Sequence, residues 1–319
     1  MITELRQTLT KTEKEAQYDA AAKCLLGEKV ILAHILIRTI DEFKGMTADE
    51  VVLLIEGEPY IGQVPVEPGA TNRKIEYGST RITGMNTENA EMNEGTTFFD
   101  IIFYVRMRNG RSKIIINVEA QRKEPDKYRI INRAIFYVGR MISSQKEREF
   151  TGMNYDDIEP VYSIWICMNM QENSMCHIHL VQDDLIDAKQ WKGDLDIPNI
   201  IMIGLGKEIP EQDEKYELHR LLGTLLSEKL SAEEKLQRVS TEYDIPVKGN
   251  NVEKEVSIMC NLSQGIKEES EAKGEEKART EIVLNMHKKG YSLDQIVEIT
   301  NLNVSTVTVS YTHLRAHET

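Results

Sequence analysis

Apolar positions along the chain change period several times, and each change predicts an element. The stretch "AAKCLLGEKVILAHILIRTIDEF" places Leu25, Ile31, Ile35 and Leu36 among further apolar residues, the signature of a largely buried helix. "VVLLIE" follows, and then a loop rich in Gly, Pro and Thr around Gly57 to Gly84. "ENAEMNEGTTFFDIIFYVRMRNGRSKIIINVEAQ" switches to strand alternation and predicts two strands joined at Asn109-Gly110, a strong hairpin signal. Pro125 breaks the chain, and "YRIINRAIFYVGRMISSQ" returns to helical spacing. "VYSIWICMNM", "CHIHLVQ" and "NIIMIGL" predict three more strands; "KYELHRLLGTLLSEKLSAEEKLQRVSTEY" and the region after Val256 predict helices. Strands interleaved with helices imply an α/β or α+β fold on a mixed sheet, with a helical C-terminal extension. No internal repeat is evident.

The hairpin fixes what faces what. With a two-residue loop at Asn109 and Gly110, paired residue numbers sum to 219, so Asp100 falls opposite Glu119. Alternation then puts Asp100, Ile102, Tyr104, Glu119 and Gln121 on one face. Phe99, Ile101, Phe103, Val105, Ile114, Ile116, Val118 and Ala120 take the other, the better core face. Carboxylates directly opposed across two strands repel, so something must compensate them. A divalent cation between them would do so, since Mg²⁺ takes carboxylate oxygens, a backbone carbonyl and waters. The plainer alternative is an exposed strand end with both acids solvated.

The helix after Pro125 carries an apolar stripe of Ile131, Ala134, Ile135, Val138 and Ile142. Arg129, Arg133, Tyr137 and Arg140 share another face. A guanidinium stripe beside two carboxylates suits a phosphodiester: the arginines bind phosphate and the acids hold the metal. An ordinary solvated face, or ion pairs to Glu124 and Asp126, would read the same way. Net charge sharpens the picture. The whole chain carries −13, yet Asp100 to Phe150 holds twelve Lys/Arg against six Asp/Glu, a local +6. A chain this acidic is no general nucleic-acid coat, but a local basic island can hold a phosphate backbone.

"FFDIIFYVRMRNGRSKIIINVEAQ" and the helix after it resemble the active-site hairpin of the PD-(D/E)XK nuclease superfamily. The likeness is closer to its recombination-promoting nuclease and transposase branch, which pairs an Asp on one strand with Glu-x-Gln on the next and an Arg/Tyr-bearing helix beyond. The resemblance covers roughly Lys23 to Leu262. It implies an α/β, restriction-endonuclease-like core and a Mg²⁺-dependent DNA endonuclease, with Mn²⁺ able to substitute. Such an enzyme would promote recombination or mobile-element movement. It further implies Asp100 and Glu119 as metal ligands, the carbonyl of Ala120 as a third, and Gln121 as the residue that orients the attacking water. Arg129, Arg133, Tyr137 and Arg140 would bind DNA. Gln121 departs from the superfamily's usual Lys; a neutral amide orients water but cannot take its proton. The superfamily's first helix often adds an acid, for which Glu28 is the candidate, with Asp41 and Glu42 competing. Two further readings stay open: an inactive nuclease-fold module that binds DNA or protein, and an accessory protein that self-associates through its C-terminal helices.

The remaining signals narrow the picture. Four cysteines lie far apart with no CxxC, which fits reduced thiols and a cytoplasmic protein. The N-terminus lacks a signal-peptide h-region, and no apolar run is long enough to span a bilayer. Cys176, His177 and His179 are better read as edge-strand residues than as zinc ligands, because neighbours on a strand point opposite ways. "GLGKEIPE" lacks a full nucleotide-binding pattern. "NMHKKGYSLDQIVEITNLNVSTV" predicts helix, Gly290 turn, helix, with Ser292 and Gln295 as a capping box; it resembles a helix-turn-helix fragment. The last eleven residues, "VSYTHLRAHET", resemble the translation of a transposon-end sequencing adapter, so the native C-terminus is expected to be missing. The expected organisation is a polar segment 1–20, a nuclease-like domain 21–262, a charged helical linker 263–280, a truncated helix-turn-helix-like hairpin 281–308, and the adapter segment 309–319.

Overall fold

The computed structural model describes residues 14, 16–61, 88–91, 95–98, 100–107, 113–121, 128–146, 149–187, 191–247, 251–300 and 302. The Asn109-Gly110 turn, most of the Gly/Pro/Thr-rich loop and the segment 309–319 lie outside the described residues. The chain divides into two compact units, one of Gln17–Cys260 and one of Met1–Ala16 with Asn261–Thr319.

The larger unit opens with helix α1 (16–26), which runs through the boundary expected at residue 20. Tyr18 is already buried, and its hydroxyl donates to the Leu226 carbonyl at 3.2 Å. Helix α2 (Lys29–Thr39) buries every residue from Ile31 to Leu36, as an element apolar on all sides must. The short helix α3 (Ala48–Val52) starts at a Thr47/Glu50 capping box and leads into β1 (Ile55–Ile61). Gly57, where a loop was expected, instead sits in a bulge of β1 with φ +61°.

The long run expected to form the hairpin's first strand is divided. Glu88–Glu91 (β2) and Gly95–Phe98 (β3) make a separate two-stranded ribbon. Asp100 stands at a bend, and β4 (Ile101–Arg106) pairs with β5 (Lys113–Gln121). Their register runs from Ile101↔Val118 to Arg106↔Lys113, the sum of 219 that the Asn-Gly spacing requires.

After helix α4 (Ile130–Ser143) come β6 (Val161–Met170), β7 (Ser174–Ile178) and β8 (Pro198–Gly206). The six-stranded sheet has the order β1-β4-β5-β6-β8-β7. β5, β6 and β8 run parallel, and the outer strands antiparallel, so this is a mixed α/β sheet flanked by helices. A parallel β5–β6 pair needs a crossover, and α4 supplies it. Ala134, Tyr137, Val138 and Met141 of α4 pack with Ile102, Val161, Trp165, Cys167 and Ile200. The face that carries Asp100 and Glu119 is therefore also core. The other face buries Ile101, Phe103, Val105 and Val118, so no better core face exists.

Helix α4 is turned from its expected stripe. Ile131 and Ile135 are 44% and 54% exposed, whereas Tyr137 is 4% exposed. Tyr137 stacks beside Trp165, with ring centroids 5.4 Å apart, and that contact draws the tyrosine side of the helix inward.

Helices α5 (Glu217–Leu226), α6 (Ala232–Tyr243) and the start of α7 (Asn251–Lys288) complete the unit. The buried Lys235 ammonium donates to the Leu225 carbonyl at 3.0 Å, at the end of α5. Gly204 permits the close approach of β7, since a Cβ there would lie 2.5 Å from Ser174 Oγ. His177 Nε2 bonds Asn199 Oδ1 at 2.8 Å across the same strand pair.

In the smaller unit, the end of α7 turns at Gly290 (φ +88°) into α8 (Leu293–Thr300). Ser292 and Gln295 form the expected capping box, at 2.9 and 3.3 Å. Val283 and Ile296 are buried between the two helices, with Met286, Val297 and Leu302 around them. Among the described residues, no helix is long and apolar enough to cross a membrane. All four cysteines are free thiols.

Candidate functional site

β4 and β5 bring Asp100 and Glu119 together at one end of the sheet, but the acids do not confront each other. The Asp100 N–H donates to Glu119 Oε1 at 2.9 Å, and the Ala120 N–H donates to Asp100 Oδ2 at 3.0 Å. Each carboxylate is thus clasped by a backbone donor from the neighbouring strand. Two cations supply the remaining compensation. Lys23 Nζ lies 2.6 Å from Asp100 Oδ1, and Arg133 Nη2 lies 3.8 Å from Glu119 Oε2. Glu119 is fully buried and Asp100 is 9% exposed, so the exposed-strand-end alternative does not hold. A buried carboxylate persists as an anion only where donors and counter-charge replace water.

Arg133 is held from several sides. Its guanidinium stacks on Tyr137, Trp165 and Tyr128, with centroid distances of 4.9, 5.5 and 5.7 Å. Its Nε donates to Tyr137 Oη at 3.0 Å and its Nη1 to Tyr128 Oη at 2.8 Å. Burial alone would lower the Arg133 pKa, but Tyr137 and the Glu119 carboxylate outweigh it and raise the value. Burial, reinforced by the Glu119 charge, also raises Tyr137, which stays a neutral phenol.

An open cavity of about 260 Å³ fronts Asp100, lined by Asp19, Ala22, Lys23, Asp100, Ala120, Arg133 and Met168, with the fully buried Glu119 outside its lining. Helix α1 makes one wall, with Asp19 and Lys23 one turn apart on the same face. The end of the sheet and α4 make the others. Two carboxylates, Asp19 and Asp100, thus face two cations, Lys23 and Arg133, in one cavity.

The expected residues sort unevenly. Asp100, Glu119, Ala120 and Arg133 converge. Tyr137 is 4% exposed, too buried to meet a ligand directly, and its hydroxyl accepts from the Arg133 guanidinium. Arg129 caps the start of α4 and is exposed, while Arg140 is half-buried beside the Phe136 ring, at 5.9 Å. Neither lines the cavity. Gln121 ends β5 opposite Cys167; its side chain lies outside the described residues.

Glu28 is not at the site. It stands at the start of α2, where burial, countered by a bond from Asn251, raises its pKa beside Glu58 and Glu255. The break between α1 and α2 at Gly27 separates it from the cavity. Asp41 and Glu42 lie beyond the far end of α2, near Tyr162, whose pKa is pushed up to about 12 by burial and the acids around it. The acid that α1 does bring to the cavity is Asp19, which reading residues 1–20 as a polar segment missed. Its signal was present: Tyr18, Ala21, Ala22, Leu25 and Leu26 extend the apolar period back past residue 20.

The donors at hand, carboxylate oxygens and a backbone carbonyl, are of the kind a hard divalent cation takes, and Asp100 Oδ1 already faces a positive group at 2.6 Å. Among the described residues, no group of three or more His, Cys, Asp and Glu side chains gathers as a metal cluster. No family model, curated protein or solved structure matches the chain.

Proposed function

We propose that this chain is a metal-dependent DNA endonuclease, with its mixed sheet and flanking helices forming a restriction-endonuclease-like core. One observation carries the reading: Asp100, clasped across adjacent strands to the buried Glu119, lines a cavity whose other walls present Lys23 and the caged Arg133. Anionic oxygens beside cations suit a site that must hold both a divalent ion and a phosphate.

Asp100 and Glu119 would hold Mg²⁺ or Mn²⁺, with Ala120 and Asp19 lining the same cavity from the sheet and from α1. The ion, when bound, supplies an activated water and charge neutralisation at phosphorus. Arg133, immobilised by Tyr137, Tyr128 and Trp165, orients the phosphodiester. Gln121 follows Glu119 by two residues on the same strand face, the place from which an amide would align the attacking water. Arg129 and Arg140 would meet the flanking backbone outside the cavity. A cytoplasmic setting and self-association through α7 and α8 belong to the same proposal.

A plasmid-nicking assay with Mg²⁺ or Mn²⁺ tests it. Wild-type protein should nick, and Asp100→Ala and Glu119→Ala should not. Activity that survives both substitutions would sink the assignment.

A second reading is a binding module of the same fold without cleavage. The compensation of both acids by backbone N–H groups, Lys23 and Arg133 favours it, because the site then folds without any ion. A wild-type protein that binds duplex DNA but neither nicks it nor takes up Mn²⁺ would select that reading.

A further inference from the structure

Asp100 has two carboxylate oxygens, and the structure gives them different work. Oδ2 accepts from the Ala120 N–H at 3.0 Å, which ties it to the backbone of β5. Oδ1 faces Lys23 Nζ at 2.6 Å. Lys23 comes from α1, an element that contributes nothing to the strand pair, and it lines the same cavity. Its side chain is 29% exposed against 13% for Asp100, so the lysine is the more open partner of the pair.

A divalent ion bound to a carboxylate oxygen sits about 2.1 Å from it for Mg²⁺. It would approach Oδ1 from the same open side that the ammonium occupies. Two positive groups cannot share that oxygen at such distances without strong repulsion in a half-buried site. Lys23 can leave: its charge is a point at the end of a flexible four-carbon stem. Arg133 cannot, because three rings and two phenol oxygens hold it. The two cations of the cavity are thus unlike, one fixed and one displaceable.

We propose that Lys23 is a built-in counter-ion that occupies the metal's place on Asp100 and must swing away before an ion binds there. A substrate phosphate, entering the same cavity, is the anion that best receives the displaced ammonium. Metal uptake is therefore weak in the free protein and is coupled to arrival of the phosphodiester. This inference rests on Asp100 as a metal ligand and concerns how that site is regulated.

The test is calorimetric titration of the full chain with Mn²⁺, in the absence of DNA, for wild type, Lys23→Gln, Lys23→Met, Lys23→Arg and Asp100→Asn. A neighbouring charge changes a carboxylate's affinity for a competing cation by about tenfold or more. Lys23→Gln or Lys23→Met, whichever folds, should therefore bind Mn²⁺ at least about tenfold more tightly than wild type. Lys23→Arg should bind like wild type, and Asp100→Asn should not bind. Binding by Lys23→Gln but not by wild type supports the inference, with the resting site closed. Equal Mn²⁺ affinity in wild type and both neutral variants, with Asp100→Asn inactive in binding, overturns the role of Lys23 and leaves the metal site standing. Tighter binding by Lys23→Arg also overturns it, because charge would not be the cause. No Mn²⁺ binding by any variant overturns both the inference and the metal site.

Discussion

Replacing Asp100 separates its structural work from its chemical work. In Asp100→Ala the Ala120 N–H loses its side-chain acceptor at 3.0 Å, and Lys23 loses its carboxylate at 2.6 Å. A hydrogen bond to a charged acceptor contributes about 1.5–3 kcal/mol. The half-exposed ion pair adds a fraction of a kcal/mol to about 1 kcal/mol. Relief of repulsion with Glu119 returns up to about 1 kcal/mol. The net cost to folding is then about 2 kcal/mol. Asp100→Asn keeps an oxygen of the same shape for the Ala120 N–H; its amide nitrogen replaces the acceptor of Lys23, whose flexible side chain can turn to solvent, so the cost should stay below about 1 kcal/mol. The Asp100 N–H bond to Glu119 uses the backbone and survives in both. Urea unfolding followed by far-UV circular dichroism gives the two stabilities, and plasmid nicking gives the chemistry. The expected pattern is a destabilised alanine variant, a near-native asparagine variant and no nicking by either. Equal stability of Asp100→Ala and wild type would refute the reciprocal clasp between β4 and β5.

Two further predictions follow from buried basic groups. Burial, helped by the Arg38 guanidinium, lowers the His34 pKa to about 4, below its ordinary 6.5. A depressed folded value means that protonation favours the unfolded chain; the contribution is complete above pH 6.5 and is lost as pH falls from 6.5 to about 4. The full loss is about 3 kcal/mol, and His34→Gln should remove that part of the acid sensitivity, read as a smaller shift of the urea midpoint between pH 7.5 and pH 4.5. Arg133→Lys keeps the charge but loses the bonds to Tyr137 and Tyr128 and the stacking on Trp165. Stability should fall by about 1–2 kcal/mol, with a change in Trp165 fluorescence; a wild-type urea midpoint would show that the aromatic cage does no structural work.

Some of this architecture is a local property of the chain. The pairing of β4 with β5 follows from alternation and the Asn-Gly spacing, so the meeting of Asp100 with Glu119 was legible from residue numbers alone. The Ser292/Gln295 cap was legible for the same reason: its partners are three residues apart. What required the tertiary structure was every choice between equivalent faces and distant partners. Helix α4 has apolar residues on more than one side, and periodicity cannot say which side a sheet will cover; Trp165 on β6 decides it, burying Tyr137 and leaving Ile131 and Ile135 outside. The same holds for the first helix. Glu28, Asp41 and Glu42 are as acidic as Asp19, but of the four Asp19 alone lines the cavity, one turn from Lys23 on α1. Sequence spacing determines contacts made within a turn or a hairpin. Contacts between elements depend on how each packs against all the others, and there the charge on Asp100 found Lys23, seventy-seven positions earlier in the chain.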